Sequence, residues 1–314
     1  MSLHVVIGFG PAGAATARLL AEQGRSVRVV TKSGRASEPG IEHVALDATD
    51  PARLTEAVKG AAAIHACAAP PYHRWAADWP PLAAAVLRAA EASGAPLVLL
   101  GNLYGYGPTA QGPLTEDLPL AATGPKGRVR AATWQQAKTL HGQGRIRAVE
   151  LRASDFFGPG VTAGGHLADR VVPKVLQGKA VSVLGDPTAP HSWSYLPDVA
   201  RAMVELAETD SAWGRAWHLP TAPARSAAEM VGLLCREAGT GPVAVKGLPP
   251  AVLTLAGLFS PLLRALKEIS YQFDRPFVLD SSAYEQALTV RATPVEEQVA
   301  ATVAWWRDRS GTGA

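Results

Sequence analysis

Residues 5–15, Val-Val-Ile-Gly-Phe-Gly-Pro-Ala-Gly-Ala-Ala, constrain the fold of this 314-residue chain more than any other stretch. A β-branched run ends in Gly8, Gly10 and Gly13 and passes directly into an alanine- and leucine-rich helical sequence. Gly8 is expected to make the tight turn, Gly10 to let a ligand approach the backbone, and Gly13 to let the helix pack on the strand. Pro11 and Ala12 would open that helix, whose unpaired amides and positive dipole end favour an anion. Strand, glycine turn and helix in this order suit a dinucleotide pyrophosphate, the alternative being a purely structural glycine turn.

Strand and helix signals alternate from there. A helix over 12–23 should stop at Gly24, a strand should follow over 26–31, and a short third strand should surround Val44. Asp50-Pro51 supplies a cap and a first-turn proline for a helix ending at Gly60. Residues 62–68 are apolar throughout, as in a strand buried on both faces. Helices over 82–93 and 128–140 alternate with strands over 97–100 and 148–152. Repeated units of this kind predict an α/β Rossmann fold, a doubly wound parallel sheet. After Gly158-Pro159-Gly160 short strands (181–184, 192–195, 216–219) mix with helices starting near Asp169, Asp198 and Ser226. The expected division is a dinucleotide-binding core over 1–160, with 191–219 returning to its sheet. Residues 161–190 and 220–314 would form a smaller C-terminal substrate-binding cap. The last helix should run over 294–309.

Composition removes several function classes. A net charge of +3 with interspersed signs gives no basic stripe for nucleic acid and no membrane-surface patch. The apolar stretch 251–263 is broken by Gly257 and Pro261 and falls short of the roughly 20 residues a bilayer needs. No basic region followed by an apolar core opens the chain, so a soluble, cytoplasmic protein is expected. Cys67 and Cys235 lie far apart and read as buried thiols, and the eight histidines have no metal-ligand spacing, so no metal is expected.

Further motifs, in order, resemble the extended short-chain dehydrogenase/reductase superfamily of the NAD(P)-dependent epimerase/dehydratase type. Ile64-His65-Ala66-Cys67-Ala68-Ala69 is similar to the family's fourth-strand segment, and Tyr106-Gly107-Pro108 to its Tyr-Gly after strand five. Leu151-Arg152 with residues 155–160, Asp-Phe-Phe-Gly-Pro-Gly, resembles its Arg…Tyr-Gly-Pro-Gly segment. Residues 193–200, Trp-Ser-Tyr-Leu-Pro-Asp-Val-Ala, resemble its late strand-to-helix motif. The resemblance implies that Ala66 and Ala68 line the adenosine ribose and that Asp47 contacts adenine. NAD-binding members carry an acid at the end of the second strand. Here Thr31, Lys32, Ser33 and Arg35 stand instead, which suits the 2′-phosphate of NADP(H), unless they form only a solvated basic turn.

The resemblance also implies a catalytic Ser or Thr with a Tyr-x-x-x-Lys pair, and here the chain departs from the pattern. Alignment on Tyr106-Gly107 puts Asn102 at the hydroxyl position, and Lys126 and Arg130 at the Tyr and Lys positions. No Tyr-x-x-x-Lys occurs anywhere in the sequence. Arg130 would keep a fixed charge near the ribose, and burial beside it would make Lys126 a better acid and a further cofactor contact. Asn102 would hold an oxyanion, and Tyr104 is a second candidate donor. A solvated basic helix start is the other reading of Lys126 and Arg130. Tyr72, His73, Tyr106, Asp155 and His191 are expected at the substrate, Tyr106 equally as a structural residue. Residues 271–277 would either close the pocket or pack in the core. These features favour an NADP(H)-dependent oxidoreductase on a small carbonyl or alcohol substrate. A non-catalytic NADP(H) sensor and a nucleotide-sugar epimerase or dehydratase are the alternatives, and a homodimer would follow the family.

Overall fold

The computed structural model describes residues 2–34, 38–110, 112–162, 164–248, 254–255 and 258–311. Strands β1 (Leu3–Ile7), β2 (Ser26–Thr31), β3 (Ile41–Ala45), β4 (Ala61–Ala66), β5 (Leu97–Asn102) and β6 (Ala148–Ala153) form one parallel sheet. After three short strands, β7 (Asp155–Phe157), β8 (Val181–Leu184) and β9 (Pro190–His191), comes β10 (Trp193–Tyr195) and then β11 (Ala216–His218). Of these only β11 joins the main sheet, giving the order β11-β6-β5-β4-β1-β2-β3. The chain leaves β1 toward β3 on one side and returns from β4 on the other, which is the doubly wound pattern.

The apolar run of β1 explains its central place. Val5 and Ile7 join a buried cluster with Leu54, Ile64, Leu97 and Trp134, beneath α2 (Pro51–Ala57), α3 (Trp75–Ser93) and α4 (Pro125–Gly142). Val6 points to the opposite face, against Leu20 of α1 (Pro11–Glu22) and Val204 of α5 (Leu196–Glu208). Each such aliphatic side chain contributes about 1.5–3 kcal/mol by leaving water. Asp50 accepts from the Ala52 and Arg53 amides at 3.1 Å and caps α2 as expected. A Ser226/Glu229 capping box starts α6 (Ala227–Ala238). α3 begins seven residues before the expected start, because Pro80 and Pro81 face solvent and the helix passes through them.

The remaining elements pack at the carboxyl edge of the sheet. β10 pairs with β7, β9 with β12 (Arg225–Ser226), and β8 with β13 (Val245–Leu248). The helix Pro261–Lys267 packs beside the single turn Tyr72–Arg74, bringing the C-terminal region over the ends of β4 and β5.

The glycine turn is held by contacts no other residue permits. Gly8 has φ +95°, and a Cβ there would sit 2.6 Å from the Ala68 backbone. A Cβ on Gly13 would stand 2.1 Å from the Gly8 carbonyl oxygen. A Cβ on Gly10 would meet nothing within 4 Å. Gly13→Ala should therefore lower unfolding free energy by about 1–3 kcal/mol through overpacking, whereas Gly10→Ala should change it by less than about 1 kcal/mol. Urea denaturation followed by circular dichroism checks both.

Candidate functional site

A cleft of about 890 Å³ opens where the strand order diverges, at the carboxyl ends of β1 and β4. Gly8, Gly10, Pro11 and Ala12 form its middle, with Ala68 opposite. Sheet order places Thr31, Lys32 and Asp47 to one side, after β2 and β3, and Asn102, Tyr104 and Asp155 to the other, after β5 and β6. Gly10 caps α1 with no side chain over the helix end, so the Ala12 and Gly13 amides lack intrahelical acceptors. An open Cα at Gly10 and an unscreened helix N-terminus fit a pyrophosphate.

On the β2 side the Thr31 Oγ1 is buried with no hydrogen-bond partner. Lys32 Nζ lies 2.9 Å from Asp47 Oδ2, while Asp47 Oδ1 accepts from the Thr49 amide and hydroxyl. Hydrogen bonds from Lys32 and Thr49 pull the Asp47 carboxyl down to about 2. Ser33 is exposed and outside the cleft lining, and Arg35 lies outside the described residues. Gly13 and Ala66 also stand back from the lining, Gly13 buried under the turn it permits.

On the β5 side the Asn102 Oδ1 accepts from the Tyr104 amide at 3.2 Å, which leaves its NH₂ to the cleft. The Tyr72 hydroxyl donates to the Tyr104 hydroxyl at 3.1 Å. Burial and the charge of Asp155 raise Tyr104 well above an ordinary phenol, against a smaller lowering by Tyr72 and Arg130. Tyr104 therefore keeps its proton at neutral pH. Its position rests on Gly127 of α4, where a Cβ would stand 2.4 Å from the Tyr104 carbonyl oxygen.

Arg130 lines the cleft but is turned toward the protein. Its Nη2 donates to the Leu100 carbonyl at 2.6 Å, and its guanidinium lies 4.4 Å from the Trp79 ring and 5.7 Å from Trp75. Burial lowers it to about 10, so it stays charged at neutral pH, and its Nε is buried without a partner. Trp75 and Trp79 escaped the sequence reading, although their spacing of four, matched by the Arg74–Asp78 ion pair, is a helical signal.

Several sequence-derived positions are corrected. Lys126 does not reach the cleft: its side chain is 6% exposed and its Nζ meets Glu268 Oε2 at 2.7 Å, above the Tyr72 ring. Glu268 Oε1 also accepts the Lys126 amide at 2.8 Å, so this carboxylate covers the positive end of α4. Gly124 makes room for it, since a Cβ there would lie 2.4 Å from Glu268 Oε1. His73 is exposed and off the lining, because the tight turn that sends Tyr72 inward sends its neighbour out. Tyr106 is a core residue, its hydroxyl 2.6 Å from both His218 Nε2 and Arg152 Nη1, with burial raising it to about 12. His191 is buried behind Asp155, with Nε2 2.9 Å from Asp155 Oδ2.

Among the described residues no three His, Cys, Asp or Glu side chains gather to hold a metal, and no helix is long and apolar enough to cross a membrane. Truncation at Glu268 is the informative structural test. Glu268→Ala leaves the Lys126 ammonium buried and should cost about 3–5 kcal/mol, whereas Lys126→Met with Glu268→Leu should recover most of it, as read from urea midpoints.

This geometry agrees with comparisons to known proteins. No curated protein matches the chain. Among solved structures it resembles the Bordetella bronchiseptica enzyme WbmH in complex with NAD+, at 22% identity and TM-score 0.75, over 98% of this chain and 99% of that one. It also resembles dTDP-glucose 4,6-dehydratase from Bacillus anthracis with NAD, at 15% identity and TM-score 0.80, covering 99% and 98%. UDP-glucose 4-epimerase from Thermotoga maritima with UDP-glucose matches at 16% identity and TM-score 0.80, covering 99% and 100%. At these identities the structural likeness establishes the Rossmann architecture. The sequence model of one enzyme family matches residues 5–217, most of the sheet and the cleft, and the chain belongs to that family, the NAD dependent epimerase/dehydratase family.

Proposed function

We propose that this member of the family is an NADP(H)-dependent oxidoreductase acting on a small, largely apolar carbonyl or alcohol substrate. The observation that carries the reading is the state of the cations lining the cleft. Lys32 is paired with Asp47, Arg74 with Asp78, and Arg130 with the Leu100 carbonyl between two indole rings. The helix end at Gly10 suits the dinucleotide's own pyrophosphate, and among the described residues each lining Lys or Arg already has a protein partner, which disfavours a second diphosphate. The walls beyond Asn102 are Tyr72, Trp75, Tyr104 and Phe156, surfaces that suit an apolar body.

When bound, the dinucleotide supplies or accepts the hydride. Gly8, Gly10, Pro11 and Ala12 would hold its pyrophosphate, and Ala68 and Asp47 its adenosine. Thr31 Oγ1, which lacks a partner, would donate to a 2′-phosphate, and Lys32, held by Asp47, would supply the positive charge facing it. The Asn102 NH₂ and the Tyr104 hydroxyl would converge on the reacting oxygen and stabilise negative charge as it develops there. Lys126, engaged by Glu268, is left out of this chemistry and supports α4 instead.

A nucleotide-sugar substrate is the second reading, favoured by the named activities of the dehydratase and the epimerase that share the fold. The two readings separate on a substrate panel: small aldehydes and ketones should oxidise NADPH, and UDP- and dTDP-glucose should not be turned over. Turnover of the sugar nucleotides alone would replace the first reading with the second. Binding of NADPH without turnover of either class would point to a dinucleotide sensor. Calorimetric titration should give tighter binding of NADPH than NADH, and Lys32→Glu should weaken NADPH roughly 10- to 100-fold while sparing NADH. Tyr104→Phe should lower kcat by about 10²- to 10³-fold with little change in NADPH affinity, measured by single-turnover absorbance.

A further inference from the structure

We propose that Asp155 and His191 hold one shared proton at the substrate end of the cleft, and that this pair is the general acid supplying the proton that accompanies hydride transfer. The inference rests on the hydride-transfer reading above and adds the proton source that the missing Tyr-x-x-x-Lys leaves unassigned.

The proton count follows from the hydrogen-bond partners of one imidazole. His191 Nδ1 faces the Gln272 carbonyl oxygen at 3.2 Å, and a carbonyl can only accept, so Nδ1 carries a proton. Nε2 faces Asp155 Oδ2 at 2.9 Å, with the Ser154 hydroxyl at 3.4 Å. A bare Nε2 against a carboxylate would set two lone pairs together, so a second proton lies between Nε2 and Oδ2.

The fold fixes that orientation. His191 pairs through its backbone with Arg225 on one side and bridges Phe277 on the other. Its ring lies 4.5 Å from Trp193, 5.3 Å from Phe273 and 5.6 Å from Phe277, so it has little freedom to flip. The His191 side chain is 4% exposed and that of Asp155 is 20% exposed and lines the cleft, so the proton reaches substrate through the carboxyl group. Gln272, whose carbonyl meets His191, also lines the cleft. Burial raises the Asp155 carboxyl, but the hydrogen bond and charge of His191 outweigh this and hold it below the usual carboxylate range, so the shared proton rests on the Nε2 side and crosses the carboxylate only as it is delivered.

In the reductive direction the carbonyl carbon gains the hydride, the C=O π pair moves to oxygen, and the oxygen takes the shared proton. The pair is left as a carboxylate beside an imidazole protonated at Nδ1, and regains its proton from solvent. Tyr104 and Asn102 polarise the oxygen without surrendering a proton, consistent with the raised phenol of Tyr104. The other titratable neighbours are Tyr72 and His166, the latter stacked on Phe273 at 4.3 Å. Burial lowers His166 to about 4, so it is neutral across the working range and does not imitate the pair.

The test uses the full-length enzyme and two readouts. In ¹⁵N-histidine spectra the wild type should show His191 with Nδ1 protonated and a low-field proton on Nε2, lost in Asp155→Asn. Single-turnover reduction by NADPH should fall as rising pH strips the shared proton. His191→Gln and Asp155→Asn should each lower the rate by about 10²- to 10⁴-fold and flatten that dependence, while Tyr104→Phe keeps it. NADPH titration confirms that each variant retains a formed cleft. A His191 spectrum with Nδ1 unprotonated, or the wild-type pH dependence surviving in both variants, overturns the proposal. If NADPH binds but no carbonyl on the panel is reduced, the hydride-transfer reading fails and takes the pair's catalytic use with it. The histidine spectra still decide whether the proton is there.

Discussion

The architecture depends on a contact that excludes a side chain: the Cα of Gly13 rests on the carbonyl oxygen of Gly8, where a Cβ would come within 2.1 Å. That contact sets how closely α1 lies on the sheet and aims its unpaired amides at the point where the strand order divides. The positive φ of Gly8, closed over by the Ala68 backbone, keeps β4 equally near. The two walls of the cleft are thus backbone against backbone at their closest, and Gly10 is the open position between them. Stability and ligand access are divided between residues two or three apart in sequence.

A second contact of the same kind organises the chemical end. Gly127 lets α4 approach the Tyr104 carbonyl, and Gly124 lets Glu268 cover the start of that helix. The result places a tyrosine pair, an asparagine amide and a carboxylate around one space, without the lysine that the family pattern would set there. Positive charge is present, but it is absorbed by the fold: Lys126 by Glu268, Arg130 by a carbonyl and two indoles. Around Asn102 and Tyr104 the cleft carries its polarity on neutral donors and on the Asp155 carboxyl, with its ion pairs nearer the mouth and the β2 side.

What could be read from sequence divides along physical lines. Gly8, Gly10 and Gly13 were legible because few residues tolerate positive φ or such close approach, so type and spacing specify geometry. Second-strand and helix-cap positions were legible for the same local reason; Ser26–Thr31 came out residue for residue, and Asp50 and Ser226 cap as their types suggest. Contacts between distant segments leave no local period. Glu268 lies 142 residues from Lys126, and His191 lies 36 from Asp155, so neither partner was visible, and Lys126 was expected at the cleft. The early start of α3 was hidden by Pro80-Pro81, which ordinarily ends a helix and here faces water in its first turns.

The Lys126–Glu268 pair has a consequence for how such a site can change over time. A single substitution placing tyrosine at position 126 would leave the Glu268 carboxylate only the backbone amide and helix end of α4, and replacing Glu268 first would strand the Lys126 ammonium. Each one-step path back to the family arrangement passes through a less stable protein. The two residues are therefore coupled: a change at either one alone costs stability, and only a paired replacement frees position 126 to take another role.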